Sequence, residues 1–259
     1  MNQAERQDYL IRELLREQPR YQNQRIPPDS EGKKTLLRSL FNVRPPMRAS
    51  DMFIKIQDAY LQEEIKSKGI CGIEELSPIR SSLYLWQGDI TTLGVEAIVN
   101  AANSQMLGCF VPCHGCIDNV IHTFAGIQLR LACYEIMQKQ GKPEKTGAAK
   151  ITPAFNLPSK YVLHTVGPII TGRLTQNDCD LLASCYNSCM ELAEEKNISS
   201  IAFCCISTGV FCFPNDMAAE TAIQAVEKFI AERQSKVKVI FNVFKETDYD
   251  IYKKLLESN

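Results

Sequence analysis

The chain has 259 residues, of which 45% are hydrophobic and 23% are charged, and its formal net charge is −1. A chain of this size can bury a full core, as one domain or as one domain plus an appendage. The near-neutral charge argues against the basic face that nucleic-acid binding needs, so we expect no nucleic-acid partner. The polar N-terminus has no secretory core and no apolar run could span a bilayer, so we expect a cytoplasmic protein with no membrane partner.

Residues 1–72 have the pattern of a helical N-terminal extension. Apolar residues at helical spacing predict helices over residues 3–18, around residues 36–41, and from residue 50 to a glycine at residue 69. The region carries no catalytic constellation in its sequence. We expect it to pack against the rest of the chain or to shape the rim of a pocket.

Residues 73–259 alternate between strand and helix patterns. Such alternation predicts an α/β fold in which a mixed sheet is covered by helices on both faces. In folds of this kind ligands bind beyond the carboxyl ends of the strands. The predicted strands cover residues 83–87, 97–100, 149–152, 161–166, 200–207 and 236–244, and the predicted helices cover residues 117–140, 178–196, 215–234 and 248–257.

A loop rich in metal-binding residue types begins near residue 109. Cys109, Cys113, His114 and Cys116 lie within eight residues, and Asp118 follows them. Thiolates and imidazole together favour zinc among the common intracellular ions. Four ligands would make a closed structural site, whereas three would leave a coordination position open for catalysis. Adjacent residues such as Cys113 and His114 rarely both reach one ion, but the residues alone leave both alternatives open.

Three other positions each allow two interpretations. Asp89 follows a predicted strand, where it could accept a hydrogen bond from an exocyclic amine or cap the following turn. The turn at residues 207–211 could bind an anion through successive backbone N–H groups or simply connect a strand to a helix. Asn103 could bind a pair of sugar hydroxyls or fold back on its own backbone.

Four motifs occur in order over residues 80–259: Gln-Gly-Asp-Ile-Thr at 87–91, Val-Asn-Ala-Ala-Asn at 99–103, Ile-His-Thr-Phe-Ala-Gly at 121–126 and Ser-Thr-Gly-Val-Phe at 207–211. Each motif is weak alone, but the ordered set resembles the macrodomain family. The metal loop, followed by Ile-Asp-Asn, and the helical extension resemble its zinc-dependent microbial branch. The resemblance implies a three-layer α-β-α macrodomain with a central mixed sheet over residues 73–259.

Macrodomains bind ADP-ribose, and many remove it from proteins. The resemblance therefore implies a zinc-dependent hydrolase that removes mono-ADP-ribose from modified proteins by cleavage at the anomeric carbon of the distal ribose, with a carboxylate as the expected point of attachment. The alternative is a non-catalytic reader of ADP-ribosylated proteins with a structural zinc. Proteins of the zinc branch are often associated with a lipoyl-carrier protein and a sirtuin-type transferase, which are the implied partners.

The resemblance also assigns roles to residues. It implies that Zn²⁺ is held by Cys109, His114 and Cys116, and that Asn103 and Asp118 are catalytic. It assigns Asp89 to adenine and the 207–211 loop to the diphosphate. Many relatives have glycine in place of Cys212, so we expect a restricted backbone there. The substrate-binding residues implied in this way are Asp89, Ile90, Asn103, Ile117, Asp118, Ser207, Thr208, Gly209, Val210 and Phe211.

Overall fold

The structure is a computed structural model that describes residues 1–21 and 23–258. Its N-terminal part contains three helices, α1 (Gln3–Glu17), α2 (Ser30–Val43) and α3 (Asp51–Lys68). Each helix begins after a residue whose side chain accepts a hydrogen bond from the first turn, namely Asn2, Asp29 and Ser50. The third helix ends at Gly69, whose φ of 86° is readily adopted by glycine alone.

The three helices enclose a small apolar core of their own. Leu10, Leu37, Phe41 and Leu61 are among its buried members, and Ile127 from the following domain packs into it. Each fully buried side chain of this size stabilises the fold by roughly 1.5–3 kcal/mol. The shared residue joins the extension to the domain behind it.

A six-stranded mixed sheet forms the centre of that domain. In the spatial order β2-β8-β7-β4-β6-β5, all neighbouring pairs are parallel except β5 with β6, which is antiparallel. The two remaining strands, β1 and β3, form a separate parallel pair. The strands are β1 (Cys71–Gly72), β2 (Leu83–Gln87), β3 (Leu93–Gly94), β4 (Ala97–Ala101), β5 (Ala149–Pro153), β6 (Tyr161–Thr165), β7 (Ser200–Phe203) and β8 (Lys238–Val243).

Helices cover both faces of the sheet, as the alternating pattern predicted. One layer consists of α4 (Ile117–Ala125) and α5 (Ile127–Gln140), and α2 and α3 of the extension pack on α4. The other layer consists of α6 (Gln176–Glu195), α7 (Asn215–Arg233) and α8 (Glu246–Glu257), which pack on one another. The expected three-layer α-β-α architecture is confirmed. Among the described residues, no helix combines the length and the apolar character that crossing a membrane requires.

Two predicted elements are shorter than expected. The single helix predicted over residues 117–140 is broken at Gly126, whose φ is 95°. The break lets the backbone N–H of Ile127 donate to Oε1 of Gln57, 3.0 Å away in the extension. The strand predicted over residues 200–207 ends at Phe203, because the chain then turns into the loop before α7.

Candidate active site

Asp89 lies just beyond the carboxyl end of β2 and begins the short 3₁₀ turn Ile90–Thr92. Its Oδ1 accepts from the backbone N–H of Thr91 at 3.0 Å and from the Thr91 hydroxyl at 2.6 Å, so the capping interpretation is realised. Its Oδ2 is 3.0 Å from Nζ of Lys68. Burial raises the pKa of Asp89, but the hydrogen bonds from Thr91 and Lys68 outweigh it and hold the pKa below its usual value. Ile90, which follows Asp89 in this turn, is only 1% exposed.

The loop between β7 and α7 presents a row of backbone donors. Ser207 and Cys212 adopt left-handed conformations, with φ of 66° and 56°. Within the described chain, the backbone N–H groups of Gly209, Val210 and Phe211 have no hydrogen-bond acceptor. Successive free N–H groups in a turn of this kind suit an anion. The conformation of Cys212 is one that glycine adopts more readily than a residue with a side chain.

The aspartate predicted to be catalytic, Asp118, is a buried carboxylate. Asp118 is the second residue of α4 and is 5% exposed. Its Oδ1 accepts from the Asn100 amide at 2.7 Å, and its Oδ2 is 3.3 Å from the Asn103 amide. Burial raises the pKa of Asp118 to about 6, although the hydrogen bonds from Asn100 and Asn103 and the charge of Arg130 act in the opposite direction. The arrangement brings both predicted catalytic residues together.

The side chain of Asn103 realises the local interpretation, in which it folds back on the backbone of its own loop. Its Oδ1 accepts from the backbone N–H of Gln105 at 3.0 Å, which folds the loop back on itself. Its Nδ2 donates to the carbonyl of Gly108 at 3.1 Å and lies near Asp118. The side chain therefore connects the loop before Cys109 to the carboxylate. Ile117, the first residue of α4, is half-buried beside it.

The metal-binding residue types converge as the sequence predicted. One ligand atom each from Cys109, His114 and Cys116 lies within 4.8 Å of the others, and Sγ of Cys109 is 3.6 Å from Nδ1 of His114. Ligands about 2.0–2.3 Å from a tetrahedral zinc are separated by distances of this size. Burial, together with the charge of Cys109, raises the pKa of Cys116 to about 11. A cation between the two sulfurs would remove that repulsion, so the donor set fits a zinc ion.

Cys113 is directed away from this group. It has a left-handed φ of 52°, and its Sγ lies 3.1 Å from Oγ of Ser39 and 3.4 Å from the carbonyl of Thr35, both on α2. Its backbone N–H donates to Oδ1 of Asn42 at 2.8 Å. The loop therefore offers three converging ligands and not four. His114 joins the converging group, and its neighbour Cys113 does not.

Two residues of the extension contact the site, and neither was predicted from the sequence. Arg38 donates to the carbonyl of His114 at 2.7 Å and to Oδ1 of Asn119 at 2.9 Å, which braces the metal loop from α2. Lys68 reaches Asp89 from the end of α3. Both are single basic residues on helices with many charges, so no local pattern distinguishes them. Only the packing of the extension identifies them.

Two histidines lie behind the carboxylate, in the interior of the domain. His164 is fully buried, with Nδ1 3.2 Å from the Asn100 amide and Nε2 2.9 Å from Oγ1 of Thr152. His122 has Nε2 3.5 Å from Oδ1 of Asp118, and neither of its ring nitrogens has a hydrogen-bond partner among the described residues. Burial lowers the pKa of His122 well below its usual value, so the ring is neutral and does not form an ion pair. Cys133 lies with the two rings.

Comparison with known proteins connects this geometry to a family. The sequence pattern described as Macro domain matches residues 99–222. A "Protein-ADP-ribose hydrolase" from Treponema medium is 59% identical over 99% of this chain and 100% of that protein. The chain belongs to the macrodomain family of protein-ADP-ribose hydrolases. A protein of the same name from Staphylococcus aureus (strain MRSA252) is 48% identical over 96% of this macrodomain chain and 94% of its own.

Solved macrodomain structures agree with the fold. The Oceanobacillus iheyensis macrodomain with ADP superimposes with a TM-score of 0.63 at 37% identity, covering 71% of this chain and 94% of that chain. The Trypanosoma brucei macrodomain in complex with ADP-ribose gives a TM-score of 0.65 at 30% identity, covering 84% and 94%. The expected macrodomain fold and the expectation of an enzyme are confirmed.

Proposed function

We propose that this macrodomain is a zinc-dependent hydrolase that releases ADP-ribose from mono-ADP-ribosylated proteins. The observation that carries the proposal is the convergence of Cys109, His114 and Cys116 directly before Asp118. Three protein ligands leave a coordination position open, and open positions are typical of catalytic zinc. The full-length relatives with the hydrolase name support the reaction class.

The nucleotide would lie across three features of the cleft. Asp89 would accept from the exocyclic amine of adenine, beside the backbone of Ile90. The free N–H groups of the 207–211 loop would bind the diphosphate. Asn103 and Asp118 would then face the distal ribose. Contacts to the remote parts of the nucleotide would hold the reacting carbon in place, which lowers the barrier without further chemistry.

Hydrolysis breaks the bond between the anomeric carbon and the oxygen of the modified side chain, and a water oxygen takes its place. Asp118, held at both oxygens by Asn100 and Asn103, would orient the water and accept its proton. Asn103 would fix the ribose hydroxyls. A zinc ion held by the two cysteines and the histidine would supply Lewis-acid polarisation of a sugar hydroxyl or a water.

A carboxylate ester is the proposed linkage. Its leaving group is a carboxylate, which departs without needing a proton at neutral pH. One neighbouring side chain that could serve as an acid is His122, whose Nε2 lies 3.5 Å from Oδ1 of Asp118, and burial keeps that ring neutral and enclosed. An N-linked leaving group would require such an acid. A lipoyl-carrier protein modified by a sirtuin-type transferase is the proposed physiological substrate, and the thiol ligands suit the reducing cytoplasm.

The experiment follows release of labelled ADP-ribose over time from two proteins, one mono-modified on carboxylates and one on arginine. Zinc content is measured on the same enzyme, which is assayed as purified, after chelation and after zinc is restored. We expect release from the carboxylate-modified protein, its loss on chelation and its recovery with zinc. Stable binding without release would support the reader alternative, and full activity without metal would contradict the role of zinc.

A further inference from the structure

Lys68 brings a charge of the extension to Asp89, the carboxylate that the proposed function assigns to adenine. Lys68 is the last residue of α3, and its Nζ lies 3.0 Å from Oδ2 of Asp89. The same Nζ lies 3.5 Å from the centre of the Phe124 ring on α4. An ammonium over an aromatic face is held by the electrons of the ring. Asp89 and Phe124 of the domain therefore both hold the ammonium group of Lys68 in position.

The backbone that follows Lys68 forms one wall of a cavity of about 440 Å³. Lys68 and Ile70 line it on the side of the extension, and Glu75, Trp86, Gly88 and Asp89 line it on the side of the domain. This volume lies in the range of small-molecule sites, which is about 300–1,000 Å³. The cavity contains the carboxylate assigned to adenine and an indole that offers an apolar surface to a base. Its two walls come from the two parts of the chain.

We propose that the extension completes the adenine subsite and that Lys68 is a positioning residue, which holds Asp89 so that it accepts a hydrogen bond from the exocyclic amine. The inference rests on the proposed function and adds a specificity role to the extension. Lys68 would act through Asp89 and would not touch the reacting atoms.

The hydrogen bonds of Asp89 give the physical reason. Thr91 holds Oδ1 with two donors, and Lys68 holds Oδ2. A carboxylate fixed at both oxygens cannot rotate about its last bond, and Oδ2 retains lone-pair capacity for one more donor. A ligand that donates to Oδ2 therefore binds without the loss of conformational entropy that ordering the Asp89 side chain would otherwise require. Hypoxanthine has a carbonyl where adenine has its exocyclic amine. That carbonyl oxygen would face Oδ2 of Asp89, and the repulsion between the two oxygens would weaken binding.

The test compares the dissociation constants of ADP-ribose and of its hypoxanthine counterpart by titration calorimetry. The proteins are the wild type, Lys68→Met, Lys68→Arg and the control Lys66→Met, which removes an exposed lysine of the same helix turn. In the described chain, Lys66 makes no ion pair. We expect Lys68→Met to weaken ADP-ribose binding about threefold to fivefold and to reduce the preference for adenine. Lys68→Arg should keep most of that preference, and Lys66→Met should match the wild type.

A second comparison separates positioning from a general loss of charge. In an Asp89→Asn background, Lys68→Met should cause no further loss, because the carboxylate that it positions is gone. Unchanged affinity and unchanged base preference in Lys68→Met, with an unchanged melting temperature, would overturn the inference. Tighter binding in that variant would also overturn it, because Lys68 would then compete with adenine. A wild type that binds neither nucleotide would instead contradict the proposed function.

Discussion

The side-chain amide of Asn100 donates to Oδ1 of Asp118 across 2.7 Å inside the protein. The same nitrogen is 3.2 Å from Nδ1 of His164, so its two hydrogens serve two acceptors. His164 can accept at Nδ1 only if its proton is on Nε2, which faces Oγ1 of Thr152 at 2.9 Å. A neutral interior histidine therefore determines which way the amide of Asn100 points. Through that amide it holds the carboxylate of the site.

Asn100→Ala should lower the free energy of unfolding by about 1–3 kcal/mol, because it leaves two buried groups without their hydrogen-bond donor. Asn100 is 0% exposed, so water cannot replace the amide without rearrangement. Urea denaturation followed by circular dichroism measures the change. An unchanged midpoint would show that the network contributes nothing to stability.

Asn103→Ala should reduce kcat for ADP-ribose release by about 10²-fold, the size typical of one positioned hydrogen-bonding group. Asn103 donates to the buried Asp118 and to the buried carbonyl of Gly108, so the variant should also lose about 1 kcal/mol of stability. Steady-state kinetics together with a melting curve separate the two effects. Full activity in the variant would remove Asn103 from the mechanism.

Cys116→Ser should lose zinc and at least about 100-fold in kcat, because a hydroxyl is a poor zinc ligand. Cys113→Ser is the matched control, since its Sγ faces Thr35 and Ser39 and not the converging group. Zinc content and kcat are measured on the same dialysed samples of the two variants. Equal zinc loss in both variants would mean that the loop binds metal through all four candidates.

The free energy of unfolding should decrease as the pH falls below 6.5, in part because His164 is buried as a neutral ring. Burial lowers the pKa of His164 from 6.5 to about 3, so the folded protein keeps the ring neutral while the unfolded chain takes up a proton below 6.5. The stabilising contribution is present above pH 6.5 and is lost as the pH falls towards 3. Between these limits the loss is at most about 1.4 kcal/mol per pH unit for one proton.

The check is urea denaturation at pH 7 and pH 5 for the wild type and His164→Asn, whose oxygen can replace the acceptor Nδ1 of the ring. The difference in free energy of unfolding between the two pH values should be smaller in the variant. Parallel pH dependence in the two proteins would show that His164 does not remain neutral.

Cys212→Gly should stabilise the protein by up to about 1 kcal/mol, because a left-handed conformation costs a side chain energy that glycine does not pay. The φ of Cys212 is 56°. Cys212→Ser keeps the same constraint and should leave the melting temperature unchanged. A lower melting temperature in the glycine variant would mean that the added freedom of the unfolded chain outweighs the relieved strain.

The sequence predicted those features that depend on local pattern. Helical spacing located α1, α2 and α3, and strand alternation located the sheet. The adjacency of Cys113 and His114 made a shared ion improbable on backbone geometry, and the resemblance to the zinc branch then left Cys113 out of the expected ligands. The break at Gly126 was missed, because apolar spacing continues through it and the acceptor for Ile127 comes from Gln57, which is 70 residues away.

The parts of the site supplied by the extension could not be predicted in the same way. Arg38 and Lys68 lie on helices whose charged residues look alike in sequence. Their roles arise from how α2 and α3 rest on the domain, and a local pattern carries no information about that contact. The cleft residues were found because they follow strand ends, where the fold itself places ligands.

The guanidinium of Arg38 donates to the backbone carbonyl of His114 and to Oδ1 of Asn119. On the same helix, Oδ1 of Asn42 accepts a hydrogen bond from the backbone N–H of Cys113. Helix α2 thus forms hydrogen bonds with the metal loop on both sides of the His114 side chain. We expect such a pair of segments to be inherited together. In an alignment of homologous chains, substitutions at positions 38 and 42 should covary with the loop around 113–119, and chains without the extension should carry a different loop.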